Sequence, residues 1–146
     1  MINNYPAAGV VQTGPTEMSL YVNRHYEQNS AYLERMTLRL DGFASVNAPF
    51  TGGEMITNPL HFSGNQLVLN YSTSAAGSIR VELLDSSGRP IQGYSSQDCR
   101  ELIGDEIERV VTWNGVSDVS SLAGKPIQVR FLMKDADLFS LRFVKP

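Results

Sequence analysis

The 146-residue sequence contains little cysteine and histidine: one cysteine, Cys99, and two histidines, His25 and His61. A single cysteine excludes an internal disulfide and a four-cysteine metal site. Two separated histidines give no zinc-ligand spacing, and without a Gly-x-Ser-x-Gly motif they do not suggest a Ser-His-Asp hydrolase. We therefore interpret Cys99 as a small buried hydrophobe and both histidines as polar strand or loop residues.

Basic charge and long apolar runs are also scarce. The sequence has 12 Lys and Arg residues and 15 Asp and Glu residues, which gives a net charge of −3. The basic residues do not cluster. This argues against a nucleic-acid partner. No apolar run approaches the roughly 20 residues of a membrane span, so no membrane partner is expected. The first residues lack the features of a signal peptide, so we expect a secreted parent to carry its signal upstream.

The dominant pattern along the chain is a period of two. In the segment 78–83, apolar residues alternate with charged ones, as a half-buried strand requires. The other predicted strands are 18–26, 32–40, 66–71, 106–113, 127–133 and 139–143, with a short one near Ile91. Turn signals such as Asp41-Gly42 and Asn114-Gly115 separate these runs, and 85–90 predicts a hairpin.

This pattern predicts an all-β fold, an antiparallel β-sandwich with little helix. The alternation predicts seven inward-facing residues in the strands 78–83, 127–133 and 139–143, namely Ile79, Val81, Leu83, Val129, Phe131, Leu141 and Phe143. Only two single helical turns are expected, one capped by Asp118 over 119–122 and one in 97–103. No segment could be a crossover helix, which excludes a parallel α/β sheet.

One boundary is expected near the start of the chain. Residues 1–30 are irregular and turn-rich in their first half, whereas the regular alternation begins at Tyr32. We predict an N-terminal segment at 1–30, which could end a preceding domain, and a sandwich module at 31–146. The segment Met18 to Tyr26 carries apolar or aromatic groups on both faces, so we expect it to dock on the sandwich or to form a homodimer.

From Tyr32 onward the sequence resembles the C-terminal β-sandwich of bacterial five-bladed β-propeller glycoside hydrolases of the invertase and arabinanase type. The resemblance keeps its order over most of the chain. It lies in the segments 40–45 (LDGFAS), 53–60 (GEMITNPL), 67–70, 77–83, 91–94, 111–113, 121–126 and 135–140.

The resemblance implies a jelly-roll-like sandwich that packs on a catalytic propeller and binds sugar, outside the cell or in the periplasm. It implies no catalysis, because the acidic catalytic residues would lie in the upstream propeller. The residues agree with this expectation. Asp105 and Glu106 are adjacent on a strand and point to opposite faces, and Asp135 and Asp137 fall in a predicted turn between two strands. We therefore expect no enzyme activity.

Sugar-binding sandwiches stack aromatic rings on pyranose faces and hold the hydroxyls with polar side chains. Tyr94 and Trp113 are the candidate rings because each borders a turn, and Asp98 and Arg100 are the candidate polar partners. Trp113 also shares a face with Ile107 and Val111, which predicts instead a ring packed in the core. Both interpretations of Trp113 stay open at this point.

No cofactor is expected, although sandwich modules of this kind can hold a structural calcium ion through loop carboxylates. The carboxylates near predicted loops are Asp41, Asp98, Glu101, Asp105 and Asp118. Two functions fit the sequence. One is a carbohydrate-binding accessory module whose partner is an oligo- or polysaccharide. The other is a structural sandwich that supports a catalytic propeller or mediates oligomerisation.

Overall fold

The computed structural model describes residues 3–145 and is all-β, with two antiparallel sheets. The chain forms two compact units, of which the first ends at Ala44 and the second begins at Ser45. This boundary differs from the predicted one after residue 30, because the strand that begins at Tyr32 pairs with the strand before it. The outermost residues of the predicted domains, 1, 2 and 146, lie outside the described residues.

The first unit contains four strands: β1 (Tyr5–Pro6), β2 (Val11–Gln12), β3 (Glu17–Arg24) and β4 (Tyr32–Arg39). β3 is central, with β4 on one edge and the short β1 and β2 on the other. Two cross-strand ion pairs, Arg24–Glu34 and Arg35–Glu17, join β3 to β4. The segment Met18 to Tyr26 therefore contributes a central strand rather than an unpaired edge.

The second unit is built on two long strands. Its strands are β5 (Val46–Ala48), β6 (Gly53–Ile56), β7 (Gln66–Leu84), β8 (Asp105–Val110) and β9 (Gln128–Val144). β7 and β9 pair along almost their whole length, with β8 on the outer edge of β7 and both β5 and β6 on the outer edge of β9. A short 3-10 turn, Ser120–Leu122, precedes β9.

The β7–β9 ribbon bends in its middle. Thr73 pairs with Ala136 and Ser78 with Lys134, so four residues of β7 lie opposite the single residue Asp135. Asp135 has a φ of 42°, in the left-handed region. Gly77 lies so close that a Cβ there would be 2.3 Å from the Asp135 carbonyl oxygen. The predicted turn around Asp135 is thus a bulge inside one continuous strand.

The bend lets both halves of the ribbon contribute to one hydrophobic core. The first half supplies Leu67, Leu69 and Tyr71, and the second half supplies fully buried residues of both strands, namely Ile79, Val81, Leu83, Val129 and Phe131. The predicted inward residues Leu141 and Phe143 are partly buried against the same core. The sheet therefore curls, which is consistent with the predicted sandwich.

β7 contains two of the predicted strands, 66–71 and 78–83, and β9 contains two others, 127–133 and 139–143. The bend separates the two halves of each long strand. The predicted hairpin at 85–90 is confirmed, since Leu84 forms a bridge with Pro90. Of the two predicted helical turns, the first lies at the 3-10 turn Ser120–Leu122, which begins after Val119 rather than at the predicted cap Asp118. The second, 97–103, contains no helix, and Cys99 within it forms a bridge with Trp113. Over residues 3–145, no helix is long and apolar enough to cross a membrane.

The bend provides a direct stability test. We expect Gly77→Ala to lower the free energy of unfolding by about 3 kcal/mol or more. This is the upper end of the usual loss of about 0.5–3 kcal/mol for a single substitution. The reason is that the new methyl group would overlap backbone oxygens of β9. Gly53→Ala in β6 is the matched control, because its Cβ would meet only the Ala48 methyl at 3.6 Å. Urea denaturation of both variants measures the difference, and equal stabilities would contradict the role of the bend.

Candidate functional site

Two tight turns of the second unit form the walls of a small pocket. The first turn ends in Gly93 and Tyr94, where the Tyr94 N–H donates to the Ile91 carbonyl at 3.0 Å and Gly93 has a φ of 84°. The second is the hairpin between Trp113 and Val116, whose central residues Asn114 and Gly115 have φ values of 50° and 82°. Positive φ at both central positions is what an Asn-Gly sequence supplies at low cost.

Both turns are fixed to the second half of β7. The Leu83 N–H donates to the Tyr94 carbonyl at 3.0 Å, which holds the first turn along the strand. The Trp113 indole N–H donates to the Val81 carbonyl at 2.9 Å, which holds the second. The pocket walls are therefore supported by the most deeply buried part of the sheet.

Tyr94 and Trp113 meet edge to face, with ring centroids 5.4 Å apart and an interplanar angle of 73°. Trp113 is only 2% exposed, so the interpretation of this residue as a core ring is confirmed. Tyr94 is half-buried, and its hydroxyl donates to the Asp118 carbonyl at 3.0 Å. Of the two predicted rings, Tyr94 is the one whose surface reaches solvent, with Trp113 packed behind it.

Asp98 holds the hairpin in place. Its carboxylate accepts hydrogen bonds from the Ser95 hydroxyl at 2.7 Å and from the Asn114 side-chain amide at 2.9 Å. Its carbonyl accepts the Asn114 N–H at 2.7 Å. The hydrogen bonds from Ser95 and Asn114 lower the pKa of the Asp98 carboxyl below its ordinary value, because they favour the charged form.

The resulting cavity has a volume of about 290 Å³. It is lined by the residues of the two turns, namely Gln92, Gly93, Tyr94, Trp113, Asn114 and Val116. The structure thus brings together the predicted Tyr94 and Trp113, and places Asp98 behind Asn114. Arg100 is exposed but does not line the cavity. The lining residues Gln92, Gly93, Asn114 and Val116 were not predicted as site residues, although the Asn114-Gly115 turn signal marked the position of Asn114 and Val116.

The loop carboxylates considered for calcium are engaged separately. Glu101 forms an ion pair with Arg80 at 3.6 Å, and the Asp118 carboxylate accepts the Ser120 N–H at 2.8 Å. Asp105 lies on β8 and Asp98 beside Asn114, while Asp41 belongs to the first unit. Within residues 3–145, no three His, Cys, Asp or Glu side chains form a group that could hold a metal ion.

Cys99 is a buried residue of the core beneath this site. It is 3% exposed, and its sulfur accepts the Val81 N–H at 3.3 Å. Burial raises the pKa of the Cys99 thiol, which disfavours the reactive thiolate. The interpretation of this lone cysteine as a small core residue agrees with both observations.

No protein-family model matches the chain, and comparisons with curated proteins and with solved structures give no match.

The hydrogen bonds of Asp98 predict that the structure of the Asn114-Gly115 hairpin depends on pH. A carboxyl whose folded pKa is lowered stabilises the fold above its unfolded pKa, about pH 4, and loses this contribution as the pH falls through the folded pKa. We therefore expect NMR signals of Asn114 and Gly115 to shift below about pH 4 while those of the core remain unchanged. In Asp98→Asn this shift should be absent, and an identical titration in the variant would contradict the assignment to Asp98.

Proposed function

We propose that this chain is a non-catalytic carbohydrate-binding module, and that a saccharide binds in the pocket formed by Gln92, Gly93, Tyr94, Trp113, Asn114 and Val116. The observation that carries the proposal is the half-buried Tyr94 ring, which Trp113 supports edge to face at the wall of this cavity. A ring held in one orientation offers a flat apolar face to a pyranose with little loss of side-chain entropy.

The polar rim supports the same ligand class. The amides of Gln92 and Asn114 provide donors and acceptors beside the ring, the combination with which proteins hold sugar hydroxyls. The volume of about 290 Å³ lies at the small end of ligand pockets, so we expect one or two sugar units and weak binding. Arg100 lies outside the pocket lining. We therefore expect it to contribute to binding only when the saccharide is longer than two units.

The setting of the module is part of the proposal and comes from the sequence resemblance. A sandwich that accompanies a glycoside hydrolase would bring the enzyme to a polysaccharide, outside the cell or in the periplasm. The module itself is assigned no catalytic residue. Its adjacent carboxylates Asp105 and Glu106 occupy successive positions of β8, so they point to opposite faces of that strand.

A structural role is the second candidate, and the first unit favours it. Residues 3–145 contain 13 exposed large hydrophobic residues, and eight of these lie in residues 3–44, among them Tyr32, Leu33 and Met36 of β4. Within the described residues, β4 pairs only with β3, and an open edge with apolar side chains readily recruits another strand. Such a surface fits a propeller domain or a second copy of the chain.

Sugar binding is tested with Tyr94→Ala. For any polysaccharide that retains the unaltered chain, we expect this variant to bind about thirtyfold more weakly. The reason is that truncation of an aromatic anchor costs about 2 kcal/mol of binding free energy. Affinity electrophoresis over a panel of plant and microbial polysaccharides measures the retention. Tyr32→Ala is the matched control, because it removes an exposed ring of the first unit. If no polysaccharide of the panel retains the unaltered chain, the proposal is wrong.

The structural role is tested by changing the exposed edge strand. If the chain forms dimers through β4, light scattering at high concentration should give the dimer mass, and Leu33→Lys should return the monomer mass. Ile103→Lys is the control, since Ile103 is a similarly exposed aliphatic residue of the second unit. A monomer mass for the unaltered chain at all concentrations would exclude dimerisation.

A further inference from the structure

A second and larger cavity lies at the opposite end of β7 from the Tyr94 pocket. It lies among the start of β7, the 3-10 turn and the residue after β9, and has a volume of about 660 Å³. Its lining includes Phe62, Asn65, Ser120, Ala123, Gly124 and Lys145. No sequence pattern pointed to this place, because its residues come from three separate parts of the chain.

The walls of this cavity are fixed before any ligand binds. The Phe62 ring is 9% exposed and stacks on Phe143, with centroids 3.9 Å apart and an interplanar angle of 17°. The Gly124 N–H donates to the Phe62 carbonyl at 3.0 Å. The Asn65 N–H donates to the Val144 carbonyl at 2.9 Å, and the Asn65 carbonyl accepts the Val119 N–H at 2.9 Å. A rigid apolar floor of this kind can receive the face of a ring.

One polar atom in the lining has no partner. The side-chain oxygen of Asn65 is buried and accepts no hydrogen bond from any group in residues 3–145. A buried acceptor without a donor is costly, and such orphans are rare in folded proteins. This oxygen has almost no accessible surface, so a ligand hydroxyl or N–H group reaches it only when the Asn65 side chain turns toward the cavity, and the new hydrogen bond then removes that cost.

Lys145 gives the cavity its charge. It is exposed, it forms no ion pair with any residue from 3 to 145, and no acidic residue lines the cavity with it. Among residues 3–145, the cavity therefore combines one positive charge without an acidic partner, the Asn65 acceptor and an apolar floor. An anionic ligand gains a charge-assisted hydrogen bond that a neutral one does not.

We propose that this cavity binds an acidic sugar of the uronic acid class. The carboxylate would pair with the Lys145 ammonium, a ring hydroxyl would donate to Asn65 Oδ1, and the apolar face of the pyranose would lie toward Phe62. The choice of a sugar as the carrier of the carboxylate rests on the proposed carbohydrate-binding function. The site itself is separate from the Tyr94 pocket, since the two share no lining residue.

The test is an NMR titration of the 1–146 chain with D-glucuronate and D-galacturonate, with D-glucose and D-galactose as neutral controls. We expect the uronates to shift the amide signals of 62–65, 120–124 and 145, and the neutral sugars to leave them unchanged. Lys145→Ala should weaken uronate binding about tenfold, the effect of one charge-assisted hydrogen bond, whereas Lys145→Arg should retain it. Added salt should weaken binding to the unaltered chain and to Lys145→Arg.

Asn65→Ala separates binding from folding. Because the two backbone hydrogen bonds of Asn65 remain, we expect the melting temperature to be equal to or above that of the unaltered chain, while uronate binding is weakened about fivefold, the effect of one neutral hydrogen bond. Equal shifts with neutral and acidic sugars, or no shift at 62–65, would overturn the proposal. Shifts confined to 92–94 and 113–116 would overturn it while supporting the Tyr94 pocket. No shift in either region would overturn the uronate proposal, whereas the Tyr94 pocket is decided by the polysaccharide panel.

Discussion

The bend of the β7–β9 ribbon at Asp135 is the constraint on which the second unit depends. Two strands of this length would otherwise form an open twisted ribbon with one apolar face exposed to water. Gly77 permits the close approach of β7 to the carbonyl groups of β9, and Asp135 adopts the left-handed conformation opposite the bulge. The two halves then bury Leu69 and Val81 in the same core. Without the bend there is no closed core.

Both cavities lie beside segments that are anchored to this ribbon. The two turns of the Tyr94 pocket are hydrogen-bonded to the backbone of Val81 and Leu83 in the second half of β7. The side chains of both residues are buried. The larger cavity lies where the first half of β7 begins and β9 ends, with Asn65 bonded to Val144. A rigid sheet with binding residues on its connecting loops is a common arrangement for recognition.

The polar residues near the two cavities differ in how well they are satisfied. Asp98 accepts hydrogen bonds from Ser95 and Asn114, so its role in the structure is to hold the hairpin. Asn65 Oδ1 lacks such a partner within residues 3–145. A carboxylate bonded in this way is typical of a residue that holds a loop in place, whereas a buried acceptor without a donor is a cost to the fold.

The sequence by itself determined the all-β class, the approximate positions of the longer strands and the turn at Asn114-Gly115, because alternation and positive φ are local properties of the chain. It did not determine that 66–71 and 78–83 are one strand, or that β4 belongs with the first unit. Nor did it indicate the cavity at Phe62 and Asn65. Bulges, pairing partners and cavities depend on contacts between residues distant in sequence, so only the tertiary structure decided them.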